Sequence, residues 1–236
     1  MHSSLSAIFQ RRAIRVFDPV EISPALRHEL LEAARLAPSS SNSQPYRLFW
    51  VSSRDSLRTV AQLCFSQPPA ETASALLVAV ADIGAWRSTA SSQLEWMRAS
   101  GFSPDKIAEF ERKSKLAKWF FIQGWWNLLG ALKWLAFRLI NLFKIIGIPP
   151  ATRQGLFKWA TKSTSLACEN LMIAAESLGL NTCPMEGFDS RRLARFLRLS
   201  SRDHEIVMVI AIGKKSPRHV DQPQWRRPLE STVTIL

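Results

Sequence analysis

The run Ala75-Leu-Leu-Val-Ala-Val-Ala81, closed by Ser74 and Asp82, constrains this chain more than any other feature. A strand whose two alternating faces are both apolar must be covered on both sides. A second run of this kind, inside His204-Glu-Ile-Val-Met-Val-Ile-Ala-Ile-Gly213, predicts a second central strand. Helical stretches surround them. Ser23-Pro24 supplies an N-cap and a proline at the first helical position, and turns Leu26, Leu30, Leu31 and Ala34 inward before the stop at Pro38. Further helices are expected over 55–65, from about Arg153 to Gly179, and over 190–199; Tyr46–Val51 and 232–236 read as β-prone. Strands interrupted by many helices predict a three-layer α+β or α/β sandwich.

A chain of 236 residues can bury a core without a disulfide or metal staple. Its three cysteines, Cys64, Cys168 and Cys183, are odd in number and lack CxxC spacing, which suits a reducing compartment and gives no metal site. The strings HExxH, GxSxG, GxxxxGK[ST] and GxGxxG are absent, so zinc proteases, serine hydrolases, P-loop proteins and ordinary dinucleotide folds are excluded. The opening MHSSLSAIFQRR has too short an apolar stretch for a signal peptide, so a cytoplasmic address is expected. With no repeat and no linker, residues 1–236 read as a single domain carrying a helical insertion over 85–160.

The net charge is +12, and it is local: from Arg112 to Cys168 there are ten cations and no acid. Bulk basicity of a nucleic-acid binder would not concentrate charge in this way, and no nucleic acid is expected as a partner. Near the start, Arg11-Arg12-Ala13-Ile14-Arg15 places three guanidinium forks together, suited to a phosphate or to a solvated basic turn. The polar loop Pro38-Ser39-Ser40-Ser41-Asn42-Ser43-Gln44-Pro45 can hydrogen-bond a heteroaromatic ring, or be an ordinary connection.

Those two segments, followed by Leu166-Ala-Cys-Glu-Asn170-Leu, Gly179-Leu and Cys183-Pro184-Met185-Glu186-Gly187-Phe188, together resemble the FMN-dependent nitroreductase family in order and spacing. The resemblance covers about two thirds of the chain, 7–81 and 162–236. It implies a homodimeric three-layer α/β/α sandwich with a mostly antiparallel central sheet, FMN at the subunit interface, and NAD(P)H as electron donor to a small-molecule acceptor in a ping-pong cycle. By that likeness Arg11, Arg12 and Arg15 contact the phosphate and the pyrimidine side of the ring, while Ala13 replaces the family's serine. Pro38, Ser39, Ser40 and Asn42 reach the flavin from the partner subunit. Pro184, Met185, Glu186 and Gly187 lie with their backbone against N5 and O4. Arg226, with Arg227 as the alternative register, resembles the late basic residue on the phosphate, and Gln67 stands where the family often has an asparagine. No side-chain acid or base is expected to carry the chemistry, because the flavin supplies it. Reductive dehalogenation, flavin breakdown and a non-catalytic flavin- or membrane-binding role remain as alternatives.

The segment 116–150, LAKWFFIQGWWNLLGALKWLAFRLINLFKIIGIPP, departs from the family core. At 100° per residue, Leu128, Leu129, Leu132, Leu135, Leu139, Ile140, Leu142, Phe143 and Ile146 share one broad face. Gln123, Asn127, Lys133, Arg138, Asn141 and Lys144 lie opposite, with Trp126, Trp134 and Phe137 on the polar side or its edges. That pattern predicts an interfacial helix on the inner face of an anionic membrane, against the alternatives of a lid packed on protein or a span. The longest uncharged run, residues 119–132, is shorter than the roughly 18 residues a span needs.

Overall fold

The computed structural model describes residues 4–122, 124, 128–144, 150 and 152–236. Its centre is a sheet built on β5 (His204–Lys215), flanked on one edge by β3 (Ala75–Asp82), which in turn pairs with β2 (Tyr46–Val51). The other edge of β5 is shared by β4 (Asn181–Met185) and the two-residue β1 (Phe17–Asp18). Among the described residues every strand pairing is antiparallel, and a parallel bridge joins Ala13 to Thr182.

Every residue of β3 from Ala75 to Ala81 is buried, and its alternation sorts the core into two layers. Leu76, Val78 and Val80 join a cluster with Val60, Ala61 and Leu193, under α3 (Arg54–Leu63) and α9 (Ser190–Phe196). Leu77 and Ala79 face Leu30, Ala34, Ala167, Cys168 and Leu171, under α2 (Pro24–Arg35) and α8 (Arg153–Ser177). Helices therefore cover both faces of the sheet, the expected α/β/α sandwich. The Ser23 hydroxyl accepts from the Leu26 N–H at 3.2 Å, so the N-cap of α2 forms as anticipated.

Two short helices complete the periphery, α1 (Ser4–Gln10) and α4 (Pro68–Thr72). Between β3 and α8 lie α5 (Trp86–Ala99), α6 (Pro104–Phe121) and α7 (Leu128–Asn141). A third core cluster, Ala81, Ile83, Leu156 and Ala160 with Phe121, Phe157 and Trp159, seats α6 against α8 at that end of the sheet.

Three expectations change. Residues 232–236 form no strand; they run past a short 3₁₀ turn (Leu229–Ser231) with Ile235 exposed. The segment 190–199 is helical only to Phe196. Lys133 does not lie on a wet face of α7. It is 3 % exposed, donates to the Ile122 carbonyl at 2.6 Å and to the Trp119 carbonyl, and sits 4.4 Å from the Trp119 ring centroid. Those carbonyls close α6, whose negative dipole end attracts an ammonium. Burial lowers the pKa of Lys133. Of the other residues in the helical projection, Gln123, Trp126, Asn127 and Ile146 lie outside the described residues.

Candidate flavin site

The arginine segment reaches the sheet along the outer edge of β4. The Ile14 N–H donates to the Thr182 carbonyl at 3.0 Å, and the Phe17 ring packs on Gly213, where a Cβ would stand 3.0 Å from it. Glycine at 213 is what lets β1 lie so close. The Phe17 N–H is held by Thr72 Oγ1 at 3.0 Å. Arg15 is fixed through its backbone, whose N–H donates to His219 Nδ1 at 3.2 Å, while its exposed guanidinium makes no ion pair or hydrogen bond with another described residue. Arg11 lies 3.9 Å from Glu169, and Arg12 is tethered to the Phe9 carbonyl at 2.9 Å.

Further along the same strand come Pro184 and Met185, and just past its end Glu186 and Gly187. Gln67, at the start of α4, donates through Nε2 to the Gly187 carbonyl at 2.7 Å and to the Cys64 carbonyl at 2.9 Å. It clamps the turn that follows β4. The N–H groups of Glu186 and Gly187 donate to no described residue and both residues are exposed, which leaves these amides available to a ligand. Thr182 Oγ1 is a buried polar atom with no partner. Arg11–Arg15, Gln67 and 184–187 thus line one edge of the sheet.

The serine loop lies elsewhere. It leads into β2, the opposite edge, with β3 and β5 between, roughly 14 Å across at the usual strand spacing. Tyr46 is level with Glu205 through Ala81, whereas Thr182 is level with Ile212, about 23 Å further along the strands. One chain therefore places its arginines and its serine loop at opposite corners. The loop is strained and held: Ser41, Asn42 and Gln44 have φ of 54°, 49° and 44°. Ser39 Oγ accepts from the Gln44 N–H at 3.0 Å, and Gln93 of α5 donates to the Asn42 carbonyl at 2.8 Å. Pro38 and Ser40 complete the loop. Arg226 and Arg227 lie in the exposed tail, their guanidiniums on the carbonyls of Trp225 and Ser231, and neither pairs with the arginine segment.

Sequence reasoning singled out neither His219 nor Gln93. Both act on distant backbone, and nothing in their local sequence marks them. The thiols offer no nucleophile: burial raises Cys64 to about 11 and Cys168 to about 12, and also raises Cys183, partly offset by the nearby Arg15 charge. Among the described residues no cluster of three His, Cys, Asp or Glu could hold a metal.

A phosphate to meet guanidiniums and a polar ring edge to meet free amides describe a phosphorylated flavin, and this donor set fits one. The sequence model of the nitroreductase family matches residues 8–214, and the chain belongs to that family, a class of FMN-dependent NAD(P)H oxidoreductases. Protein DrgA of Synechocystis is 28 % identical over 95 % of this chain and 88 % of its own. A Thermus thermophilus protein named NADH dehydrogenase is 26 % identical over 97 % and 93 %. A nitroreductase-named protein of Exiguobacterium sibiricum, solved with FMN, shares the fold at a TM-score of 0.75 and 22 % identity, covering 99 % of this chain and 97 % of that one. A nitroreductase-like protein of Streptococcus mutans superposes at 0.74, also with 22 % identity, covering 100 % and 99 %.

Proposed function

We propose that the protein works as a homodimer that reduces a nitroaromatic, quinone-like or other conjugated electrophile with NAD(P)H, each flavin site built from two chains. The observation that carries this reading is the division of the donor set: arginines and free amides on the β4 edge of the sheet, serine loop on the β2 edge, with β5 and β3 between. FMN, when bound, supplies the two-electron chemistry. The chain's residues hold it: Arg11, Arg12 and Arg15, with Arg226 or Arg227, meet the phosphate and the pyrimidine side. The amides of Glu186 and Gly187 donate to the ring edge where negative charge develops on reduction. Pro38, Ser39, Ser40 and Asn42 of the second copy close the other side. The purified protein is expected to be yellow, to bleach with NADPH and to recolour with a nitroaromatic. A colourless protein that takes up no added FMN refutes the reading.

A second element of the proposal is that α7 docks on an anionic lipid surface. Its buried face holds Gly130 and Lys133, while Leu132, Leu135 and Leu139, with Leu142 and Phe143 just past its end, are exposed, Phe143 to 86 %. Protein on one side and leucine outward is the reverse of a helix that ends at water. Arg138 stacks on the exposed Trp134 at 5.1 Å, a basic and aromatic pair suited to headgroups. None of the described helices is long and apolar enough to cross a membrane. Flotation with vesicles containing phosphatidylserine is expected for the intact protein. It should be lost when Leu132, Leu135, Leu139 and Phe143 are all changed to Ser; equal flotation refutes the lipid assignment.

A further inference from the structure

A cavity of about 480 Å³ opens between α5, α6 and α8, within the range of small-molecule sites. Three rings form one continuous wall: Trp86 stacks on Phe121 at 5.5 Å and 16°, and Phe121 meets Trp159 at 5.5 Å and 58°. The serine loop also lines the cavity, through Ser40, Ser41 and Ser43. Among the described residues no acid lines the cavity, but two lysines do, Lys113 and Lys118. Lys113 is already paired with Glu109 at 2.6 Å. Lys118 has no ion-pair or hydrogen-bond partner among the described residues, so one ammonium at the rim of an aromatic slot is unmatched.

We infer that this cavity is the acceptor site and that it selects a flat conjugated molecule bearing one anionic group. Aromatic walls bind a planar apolar body by stacking, and the Lys118 ammonium meets the charge. The inference rests on the oxidoreductase reading, because the serine loop that walls the cavity is the loop proposed to reach the second subunit's flavin. An occupant of the cavity lies against that loop, and Gln93, which lines the cavity, holds the loop's backbone. On its other side α6 carries Trp119, against which α7 packs through Lys133, so α6 separates the cavity from the proposed lipid-facing helix.

Equilibrium dialysis of the oxidised, FMN-loaded protein, without reductant, tests this with 4-nitrobenzoate and its uncharged analogue 4-nitrobenzamide. The carboxylate is expected to bind about fivefold more tightly, the factor that one unit charge at about 4 Å gives in water. Lys118→Met should bring the ratio to about one with the amide unchanged. Ala90→Phe, which fills the cavity without removing a core side chain, should weaken both. A wild-type ratio of one, an unchanged ratio in Lys118→Met, or unaltered affinities in Ala90→Phe overturns the assignment. Yellow protein with any of those results loses the inference alone. Colourless protein refuting FMN uptake overturns the acceptor role, whatever the dialysis shows.

Discussion

Gln67 illustrates how one side chain far from any motif sets a backbone. Its amide joins the end of α3 to the turn after β4 through two carbonyls, and a Cβ at Gly187 would stand 3.1 Å from its Nε2. Removing the amide leaves the turn's peptide plane free to rotate, and the N–H groups of Glu186 and Gly187 lose their fixed placement. A net hydrogen bond is worth about 0.5–1.5 kcal/mol, so Gln67→Ala should weaken FMN binding by about two- to tenfold, read by fluorescence titration of the apoprotein. An unaltered affinity would remove Gln67 from the site. The cysteines act at the same scale through pH. Cys64 and Cys168 ionise near 9.0 when unfolded but near 11 and 12 when folded. The unfolded chain therefore releases these protons first. Stability from burying the neutral thiols is complete below about pH 9 and declines as pH climbs through the folded values. The urea midpoint should stay level up to about pH 8.5 and then drop, with a limiting slope of about 1.4 kcal/mol per pH unit for each thiol. Cys168→Ala should reduce that slope; an identical pH profile would contradict the assignment.

Elements differ in how much of their cause is local. β3 and β5 were legible because a strand covered on both faces writes itself as an uninterrupted apolar run, and α2 because Ser23-Pro24 carries its own cap. β1 was not: its two residues pair with β5 only because Phe17 finds the space above Gly213, more than 190 positions away. β4 contains Pro184, which removes a ladder donor and would argue against a strand, yet β5 is the only named strand beside β4, and the bridge on its other side falls at Thr182, so the proline is tolerated. The polar face of α7 departs from the helical projection for a related reason, with Lys133 buried. Helical projection places Lys133 opposite the leucines, but it does not say which side meets protein. The unfilled carbonyls ending α6 drew the ammonium inward and turned the leucines out. Lys133→Met, which keeps the chain length and loses the donors, should release α7 and expose its amides. Charged hydrogen bonds of this kind contribute about 1.5–3 kcal/mol, so hydrogen exchange in α7 should accelerate roughly tenfold or more, with the sheet unaffected. Unchanged exchange in α7 would mean that apolar contacts alone hold it.

At the scale of the whole molecule, the sheet decides that one chain cannot finish the proposed site. β4 and β2 are opposite edges of one sheet, and no rotation of side chains brings Arg15 to Ser39 across β5 and β3. The family motifs made both halves legible in the sequence, but not their separation, which depends on strand order. A C2 dimer closes such a site twice, each chain giving its arginines to one flavin and its loop to the other. The consequence is a complementation experiment. A chain carrying Arg11→Ala and Arg15→Ala lacks one half of the site, and a chain carrying Ser39→Ala and Asn42→Ala lacks the other, so each homodimer should bind FMN poorly. Co-refolded in equal amounts, half of the dimers are mixed, and each mixed dimer holds one site with both halves intact. FMN binding should therefore recover to about a quarter of the wild-type level. If the halves acted within one chain, no mixed dimer would contain an intact site, and mixing would restore nothing.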